Sequence, residues 1–253
     1  MTIAARLDQF RNVDSAPLPV DCHSCPVRQS ALCGAIGGAA AQALSGLAQR
    51  ERIAVAGNLS CQDEPSPVVG VVRSGLVQLT ARRRENEEQI VGVARGGEFI
   101  GRPFGGAMPY AISAATDAEL CLFPRDAFDG LAVRFPDLGH ALLTLSLDEL
   151  ERTRRWLGML GKKTSAQKVA AFLAEIAGLR SRNGEAIDAV PFELPFTRQQ
   201  IADILGLTLE TVSRQFTVLR TTRAIRLLPN RRVAIADVPT LLALAGENPQ
   251  SWH

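Results

Sequence analysis

Three of the five cysteines in this chain of 253 residues lie within twelve positions of one another. Cys22, Cys25 and Cys33 form a C-x2-C-x7-C pattern, and the other two cysteines are Cys61 and Cys121. Thiolates bind zinc and iron–sulfur clusters, and they also serve in thiol–disulfide redox chemistry. Three local cysteines with one remote cysteine are more typical of cluster ligation than of structural zinc, which usually uses two close pairs. We therefore expect a cluster completed by Cys61 or Cys121, with zinc or unligated thiols as the alternatives.

A second pattern, near the C-terminus, indicates a pair of helices joined by a tight turn. Thr197 can cap the first helix, with Gln200 completing a capping box, and Thr208 can cap the second. Gly206 lies between them, where a tight turn requires a left-handed backbone. Two caps around a turn glycine are typical of a helix-turn-helix motif, whereas an ordinary surface helical hairpin is the weaker interpretation.

The second helix of this pair carries side chains that can read base edges. Glu210, Ser213 and Arg214 face outward near its start. We also predict DNA contacts for Thr208, at the cap of this helix, and for Arg198, at the start of the first helix. Arg214 can donate two parallel hydrogen bonds to guanine, and Glu210 can accept one from the amino group of cytosine or adenine. Because they are four residues apart, we also expect Glu210 and Arg214 to pair and to hold each other in place.

The elements that must position these residues change character along the chain. Residues 1–46 are rich in Pro, Cys, Gly and Ala, and we expect an irregular arm there. From about Glu51 to Pro124, short β-branched runs separated by Gly and Pro predict an antiparallel roll or small barrel. We expect Ser165–Leu179 to be an amphipathic helix, and two short strands, Ile225–Leu228 and Val233–Ile235, to form a wing after the helix pair.

Between the roll and the helix pair, the hydrophobic period becomes that of a coiled coil. Apolar or small residues recur at alternating spacings of three and four: Leu143, Ser146, Leu150, Thr153, Leu157 and Leu160. Charged residues flank this narrow seam, so we predict a dimer helix rather than a helix packed within one domain. Because Ser146 and Thr153 interrupt the seam, the two-stranded interface should be marginally stable.

Composition limits the class of protein. Between Lys162 and Arg232 the chain carries 12 Lys and Arg against 6 Asp and Glu, whereas the remainder carries 16 against 20. A basic C-terminal third on an acidic body favours one domain that contacts nucleic acid phosphates. No run of about 18 apolar residues is present and the N-terminus lacks an apolar signal region, so we expect a cytoplasmic protein without a membrane partner. A metal-dependent cupin enzyme is disfavoured, because no histidine occurs between Ser24 and Gly139.

These patterns together predict an α+β protein with four parts. They are a Cys-rich arm (1–46), a β-roll sensor domain (47–134), a dimerisation helix (135–161) and a winged helix-turn-helix DNA-binding domain (162–253). In this order, the chain resembles the CRP/FNR family of bacterial transcription regulators. The E-T-V-S-R string of Glu210–Arg214 resembles an FNR-type recognition helix, and segments such as Gly101-Arg102-Pro103 resemble the FnrL/FnrN-like branch.

The resemblance implies a function and assigns roles to residues. FNR proteins hold an oxygen-labile 4Fe–4S cluster through three N-terminal cysteines and one in the roll, so it implies Cys22, Cys25, Cys33 and Cys121 as ligands. It also implies a homodimer that reads palindromic TTGAT-type sites in double-stranded DNA and works with RNA polymerase at low oxygen. A zinc or thiol redox sensor without a cluster is the alternative within the family.

Two positions depart from the family pattern. Nucleotide-binding members carry an arginine after the Gly-Glu pair, but here Ala111-Ile112-Ser113 follow Gly97-Glu98 at roughly that place. Without a guanidinium a cyclic phosphate has no bidentate partner, so we predict no cyclic nucleotide. Some FNR proteins also carry an aspartate that opposes dimer formation where this chain has Thr153. We hypothesise that the polar seam has a similar effect.

Overall fold

The computed structural model describes residue 22 and residues 24–84, 87–162, 164–177, 191–229 and 231–246. The chain divides into two compact units, Met1–Asp148 and Glu149–His253, and the boundary falls inside the longest helix. Each unit has its own core and is described separately.

The described part of the first unit contains a short 3-10 helix, Leu32–Gly34, followed by helices and eight strands. The strands are β1 (Gln49–Ile53), β2 (Asn58–Ser60), β3 (Val68–Ser74), β4 (Leu76–Arg84), β5 (Glu87–Arg95), β6 (Phe99–Ile100), β7 (Ala111–Ala114) and β8 (Ala118–Pro124). The helices are α1 (Gly38–Leu47), α2 (Arg125–Arg134) and α3 (Pro136–Lys162), the last of which crosses into the second unit.

The strands form two antiparallel four-stranded sheets, in the orders β1-β8-β3-β6 and β2-β7-β4-β5. A shared apolar core lies between them, with Val72 and Leu120 from one sheet and Val77 and Ile112 from the other. The antiparallel roll predicted from the short β-branched runs is confirmed. Strands β4 and β5 pair as an antiparallel hairpin, and its tip at residues 85 and 86 lies outside the described residues.

The expectation that residues 1–46 are irregular throughout is wrong. Residues Gly38–Leu47 form helix α1, which buries Ala40 and Leu44 against the outer face of the first sheet. The segment is rich in alanine and leucine, which are strong helix formers. Its two glycines and low polarity hide this preference from a composition argument, and burial of one helix face decides the conformation.

Helix α3 covers the predicted dimer helix almost residue for residue. It begins with Pro136 at its first position, where the missing N–H costs nothing. It extends to Lys162, one residue beyond Gly161, at which we expected it to end. The seam residues Leu143, Leu150 and Leu157 are exposed in the single chain.

The described part of the second unit contains the end of α3 and a small helical domain with a three-stranded sheet. Its elements are α4 (Ser165–Ile176), β9 (Phe192–Glu193), α5 (Arg198–Leu205), α6 (Leu209–Thr221), β10 (Ile225–Leu227), β11 (Arg232–Ile235) and α7 (Val238–Leu244). The helix pair and the wing strands are where the sequence predicted them. Residues 178–190 and Asn230 lie outside the described residues.

The prediction of an amphipathic helix after Ser165 is wrong in one respect. Every residue of α4 from Val169 to Ile176 is buried, including Glu175. The helix is therefore the central element of its unit, packed on more than one side, and only its first turn is half-exposed. Among the described residues, no helix is both long enough and apolar enough to cross a membrane.

Candidate functional site

The four cysteines implied as ligands lie on two elements of the first unit. Cys121 is buried on β8, where it pairs with Arg50 of β1 on one side and Val71 of β3 on the other. Cys33 lies in the 3-10 helix, Cys22 lies in a bend, and Cys25 directly precedes a run of turns at residues 26–30. The arm therefore presents three half-buried thiols to the sheet that carries the fourth.

Two of these thiols have a raised pKa. The pKa of the Cys33 thiol is raised to about 11, chiefly by burial and in smaller part by Cys22 and Cys25. The pKa of the Cys121 thiol is raised to about 12, chiefly by burial and in smaller part by the three arm cysteines. Both thiols are therefore protonated at neutral pH, so a metal centre bound here would have to displace their protons.

The structure brings Cys121, and not Cys61, to the three arm cysteines. Cys61 is exposed in the segment after β2, and no interaction with the other four is found among the described residues. In the same part of the chain, no three His, Cys, Asp or Glu side chains are grouped tightly enough to hold a single metal ion. The arm cysteines contribute to the raised pKa of Cys121, and we call these four thiols the four-thiol site.

The arm is held to the roll by close backbone contact at the β5–β6 turn. Gly97 has a φ of +91°, and a Cβ atom there would lie 2.7 Å from the Ser30 hydroxyl oxygen. A Cβ atom on the adjacent Gly96 would lie 3.3 Å from the Val27 side chain. These glycines let the cysteine arm approach the roll, and this role depends on a contact that no local pattern reveals.

One apolar core connects the four-thiol site to the start of helix α3. Leu32 and Ile36 from the arm, Cys121 and Phe123 from β8, and Leu138 from α3 belong to the same buried cluster. Interiors are densely packed, so a change in the arm is felt by its neighbours. The start of α3 therefore packs in the same core as the cysteine arm.

In the second unit, the helix-turn-helix has the predicted caps. The Thr197 hydroxyl accepts a hydrogen bond from the Gln200 N–H, and the Gln200 side chain completes the capping box. The Thr208 hydroxyl accepts one from the Thr211 N–H at the start of α6. Gly206 ends α5 with a φ of +62° and a ψ of +44°, as the turn requires.

Replacing Gly206 by alanine is expected to destabilise the second unit by about 1 kcal/mol, because a residue with a Cβ atom is disfavoured in the left-handed region. An added Cβ would meet no atom within 4 Å, so the loss of stability would come from the backbone conformation and not from a steric clash. Gly158, inside α3, has equally open surroundings, and Gly158→Ala should stabilise the protein by roughly 0.5–1 kcal/mol. Thermal unfolding would measure both changes, and the same sign for both would contradict this account.

Four of the predicted DNA contacts are exposed at the beginning of α6 or beside it. These are Thr208, Glu210, Ser213 and Arg214. The expected ion pair between Glu210 and Arg214 is wrong, because none joins them among the described residues. A pair this exposed gains little over solvation, so each side chain remains available for a ligand.

The fifth predicted contact, Arg198, has a different environment. Its guanidinium lies over the ring of Phe216, 3.2 Å from the ring centroid, and burial lowers its pKa to about 10. Arg198 is therefore still a cation at neutral pH, and it fastens the start of α5 to the inner face of α6. It remains a predicted DNA contact.

Two hydrogen bonds that the sequence did not predict fix the helix pair against α4. The Gln215 amide donates to the Ser165 hydroxyl at 3.3 Å, and the Lys168 ammonium donates to the Leu205 carbonyl at 3.4 Å. Lys168 thereby satisfies a carbonyl at the end of α5, beside the turn. A polar residue at a buried helix position, as at Gln215, is the signal that could have indicated such a contact.

Comparison with protein families gives two matches that together cover most of both units. Residues 58–135 match a cyclic nucleotide-binding domain, and residues 167–244 match a Crp-like helix-turn-helix domain. The first match covers the roll, and the second covers α5, α6 and the wing.

The chain is also similar to known proteins over most of its length. The chain is 34% identical to the transcriptional activator protein FnrL of Cereibacter sphaeroides, over 90% of this chain and 92% of the relative. It is 32% identical to the nitrogen fixation regulation protein FixK of Bradyrhizobium diazoefficiens, over 88% and 93%. The solved structure of FixK2 from Bradyrhizobium japonicum superposes with a TM-score of 0.67 at 27% identity, covering 78% of this chain and 96% of that one.

Proposed function

The chain belongs to the CRP/FNR family of DNA-binding transcription regulators, and from this premise we propose that it is an oxygen-responsive homodimeric activator. The family is one of regulators, which decides against the cupin-type enzyme. The observation that carries the proposal is the electrostatically coupled set of four thiols, three from the arm and one from the roll.

The donor set fits an iron–sulfur cluster. Cys22, Cys25, Cys33 and Cys121 would hold a 4Fe–4S cluster, whose reaction with oxygen would supply the signal. A cationic centre that binds between the thiols would favour the thiolate form of Cys33 and Cys121, whose pKa values are raised in its absence. A bare thiol redox sensor is less well supported, because reactive thiols have lowered rather than raised pKa values. Three local donors and one remote donor also differ from the paired spacing of structural zinc.

The apolar core would transmit the state of the arm to α3. When Cys33 and Cys121 are held together, Leu32 and Ile36 stay packed against the sheet and against the first turns of α3. An ordered start of α3 supports pairing along its exposed leucines, Leu143, Leu150 and Leu157. A dimer places two recognition helices about one DNA turn apart, as a palindromic site requires. Release of the arm would weaken this pairing and lower the affinity for DNA.

We propose that the roll senses no cyclic nucleotide. Ile112, near the place where a nucleotide-binding member carries its arginine, is buried in the apolar core between the two sheets. The Glu98 carboxylate is 3.2 Å from the Arg95 guanidinium. The side chain at this place therefore offers a cyclic phosphate no bidentate cation.

Anaerobic purification followed by DNA binding tests these proposals together. We expect a brown protein that contains iron and sulfide and binds a palindrome of TTGAT half-sites, with weaker binding after exposure to air. Added cyclic AMP should not change the affinity. A colourless protein that binds its site equally well in air, or one that requires the nucleotide, would refute the corresponding proposal.

The polar seam of α3 gives a further expected outcome. In cluster-free protein, Thr153→Leu should tighten dimerisation by roughly 10-fold, because the dimer would bury one more apolar side chain per chain at the seam. Arg155→Leu adds the same side chain at an exposed position two residues away, outside the seam, and should leave dimerisation unchanged. Analytical ultracentrifugation would measure both, and an unchanged monomer fraction in Thr153→Leu would argue against the seam.

A further inference from the structure

A group of charged side chains shares the sheet face that carries Cys121. Glu119 precedes Cys121 by two residues on β8, so both side chains lie on one face. Across the sheet, Arg50 of β1 pairs with Cys121 and Arg52 pairs with Glu119. Arg73 lies in β3 at a register irregularity opposite Glu119, where a strand can re-aim a side chain.

Glu119 holds two of these arginines in a fixed geometry. Arg50 Nε and Nη2 donate to its two carboxylate oxygens at 2.6 and 2.7 Å, which is a bidentate pair. Arg73 Nε lies 3.0 Å from Oε1 of the same carboxylate. Arg52 Nε lies farther away, at 3.5 Å from Oε2, and its side chain is 66% exposed.

One carboxylate cannot neutralise two arginines in this position. The Arg73 side chain is only 6% exposed, and its Nε lacks a well-directed hydrogen bond even though Glu119 is near. A buried cation is costly unless opposite charges compensate it. Since Glu119 is already bound bidentately by Arg50, Arg73 leaves an excess of positive charge beside Cys121.

Cys121 is the member of the four-thiol site that lies beside this excess charge. It shares the sheet face of Glu119, two residues away on β8, and its cross-strand partner is Arg50. Arg73 belongs to β3, the neighbouring strand on the other side of β8. An anionic group bound at Cys121 would therefore be stabilised by both guanidinium groups.

We propose that Arg50 and Arg73, locked by Glu119, are the counter-charge of the four-thiol site and determine how firmly it retains an anionic cofactor. This inference rests on the proposed function, since a cluster held by four thiolates carries net negative charge. The arginines are positioning residues whose positive charge lies beside the ligands and attracts an anionic cofactor. We therefore expect the cofactor to be retained more firmly when the local charge becomes more positive, and less firmly when it becomes less positive.

The test is a chelator challenge of anaerobically purified, full-length protein in which the loss of cluster absorbance is followed without oxygen. Removing a positive charge by Arg50→Gln or Arg73→Met should speed this loss by roughly 10-fold, the usual scale for partners of metal ligands. Glu119→Gln leaves the arginines less compensated, and the loss should become slower. Arg52→Gln removes the same charge from a solvent-exposed position and should change the rate less than 2-fold.

The arginine variants and Glu119→Gln are expected to change the rate of cluster loss in opposite directions, and this distinguishes a charge effect from a purely structural role. If Arg50, Arg73 and Glu119 only supported the fold, Glu119→Gln would speed cluster loss as the arginine variants do. The thermal unfolding temperature of the cluster-free variants would then fall in parallel. That result, or unchanged rates in the arginine variants, would overturn the inference while leaving the proposed function intact. If Arg73→Met does not fold, the more exposed Arg50→Gln decides the test. Wild-type protein without iron and sulfide would instead refute the proposed function, and with it this inference.

Discussion

Cys121→Ser is expected to abolish specific DNA binding by protein purified without air. Cys121 is the one member of the four-thiol site that lies on the rigid sheet, where it joins the core that reaches α3. Without it, the arm thiols have no partner on the roll, and the start of α3 loses its support. Affinity should fall toward the non-specific level, a loss of about 10³-fold or more.

The matched control for this variant is Cys61→Ser. Cys61 is an exposed cysteine of the same unit that does not join the four-thiol site. Its replacement should leave iron content, sulfide content and DNA affinity unchanged. A gel shift performed anaerobically would measure binding of both variants. Wild-type affinity in Cys121→Ser would contradict the role of the four-thiol site.

Arg214→Ala is expected to weaken binding to the palindromic site by about 1–3 kcal/mol for each half-site. Arg214 is exposed near the start of α6 and is not committed to an ion pair with Glu210, so its guanidinium is available for two hydrogen bonds to guanine. Two half-sites in a dimer double the effect, to roughly 30-fold or more. Fluorescence anisotropy with labelled operator DNA would measure the change.

The specificity of Arg214→Ala distinguishes base reading from general attraction. The variant should discriminate less at one base position of each half-site, while other positions keep their preference. Arg82→Ala, which removes an exposed positive charge from the roll, should leave affinity and base preference unchanged. Uniformly weaker binding by Arg214→Ala to every sequence would show that Arg214 contacts only phosphates.

Local patterns were reliable where local physics decides the structure. The caps at Thr197 and Thr208 and the left-handed Gly206 depend on hydrogen bonds and backbone preferences within a few residues, and the structure has all three. The antiparallel strands likewise follow from short β-branched runs and turn residues. The periodic seam of α3 predicted the helix and the exposure of its leucines for the same reason.

Interpretations failed where distant residues decide the structure. Helix α1 forms from a segment whose composition suggested an irregular arm, because Ala40 and Leu44 have a sheet to pack against. Helix α4 is buried along most of its length, which its sequence period does not reveal. Glu210 and Arg214 do not pair, since the weak attraction between exposed charges competes with solvation.

Local sequence patterns were sufficient to identify the kind of protein: a roll, a long helix and a winged helix-turn-helix, with cysteines toward one end of the chain and the predicted DNA-contacting side chains toward the other. These conclusions rest on periods, caps and spacings, all of which are properties of neighbouring residues. Only the tertiary structure decided that Cys121 rather than Cys61 meets the arm, and that Arg50 and Arg73 converge on Glu119 beside it. Such contacts depend on strand register and burial, which are established only when residues far apart in the chain pack together.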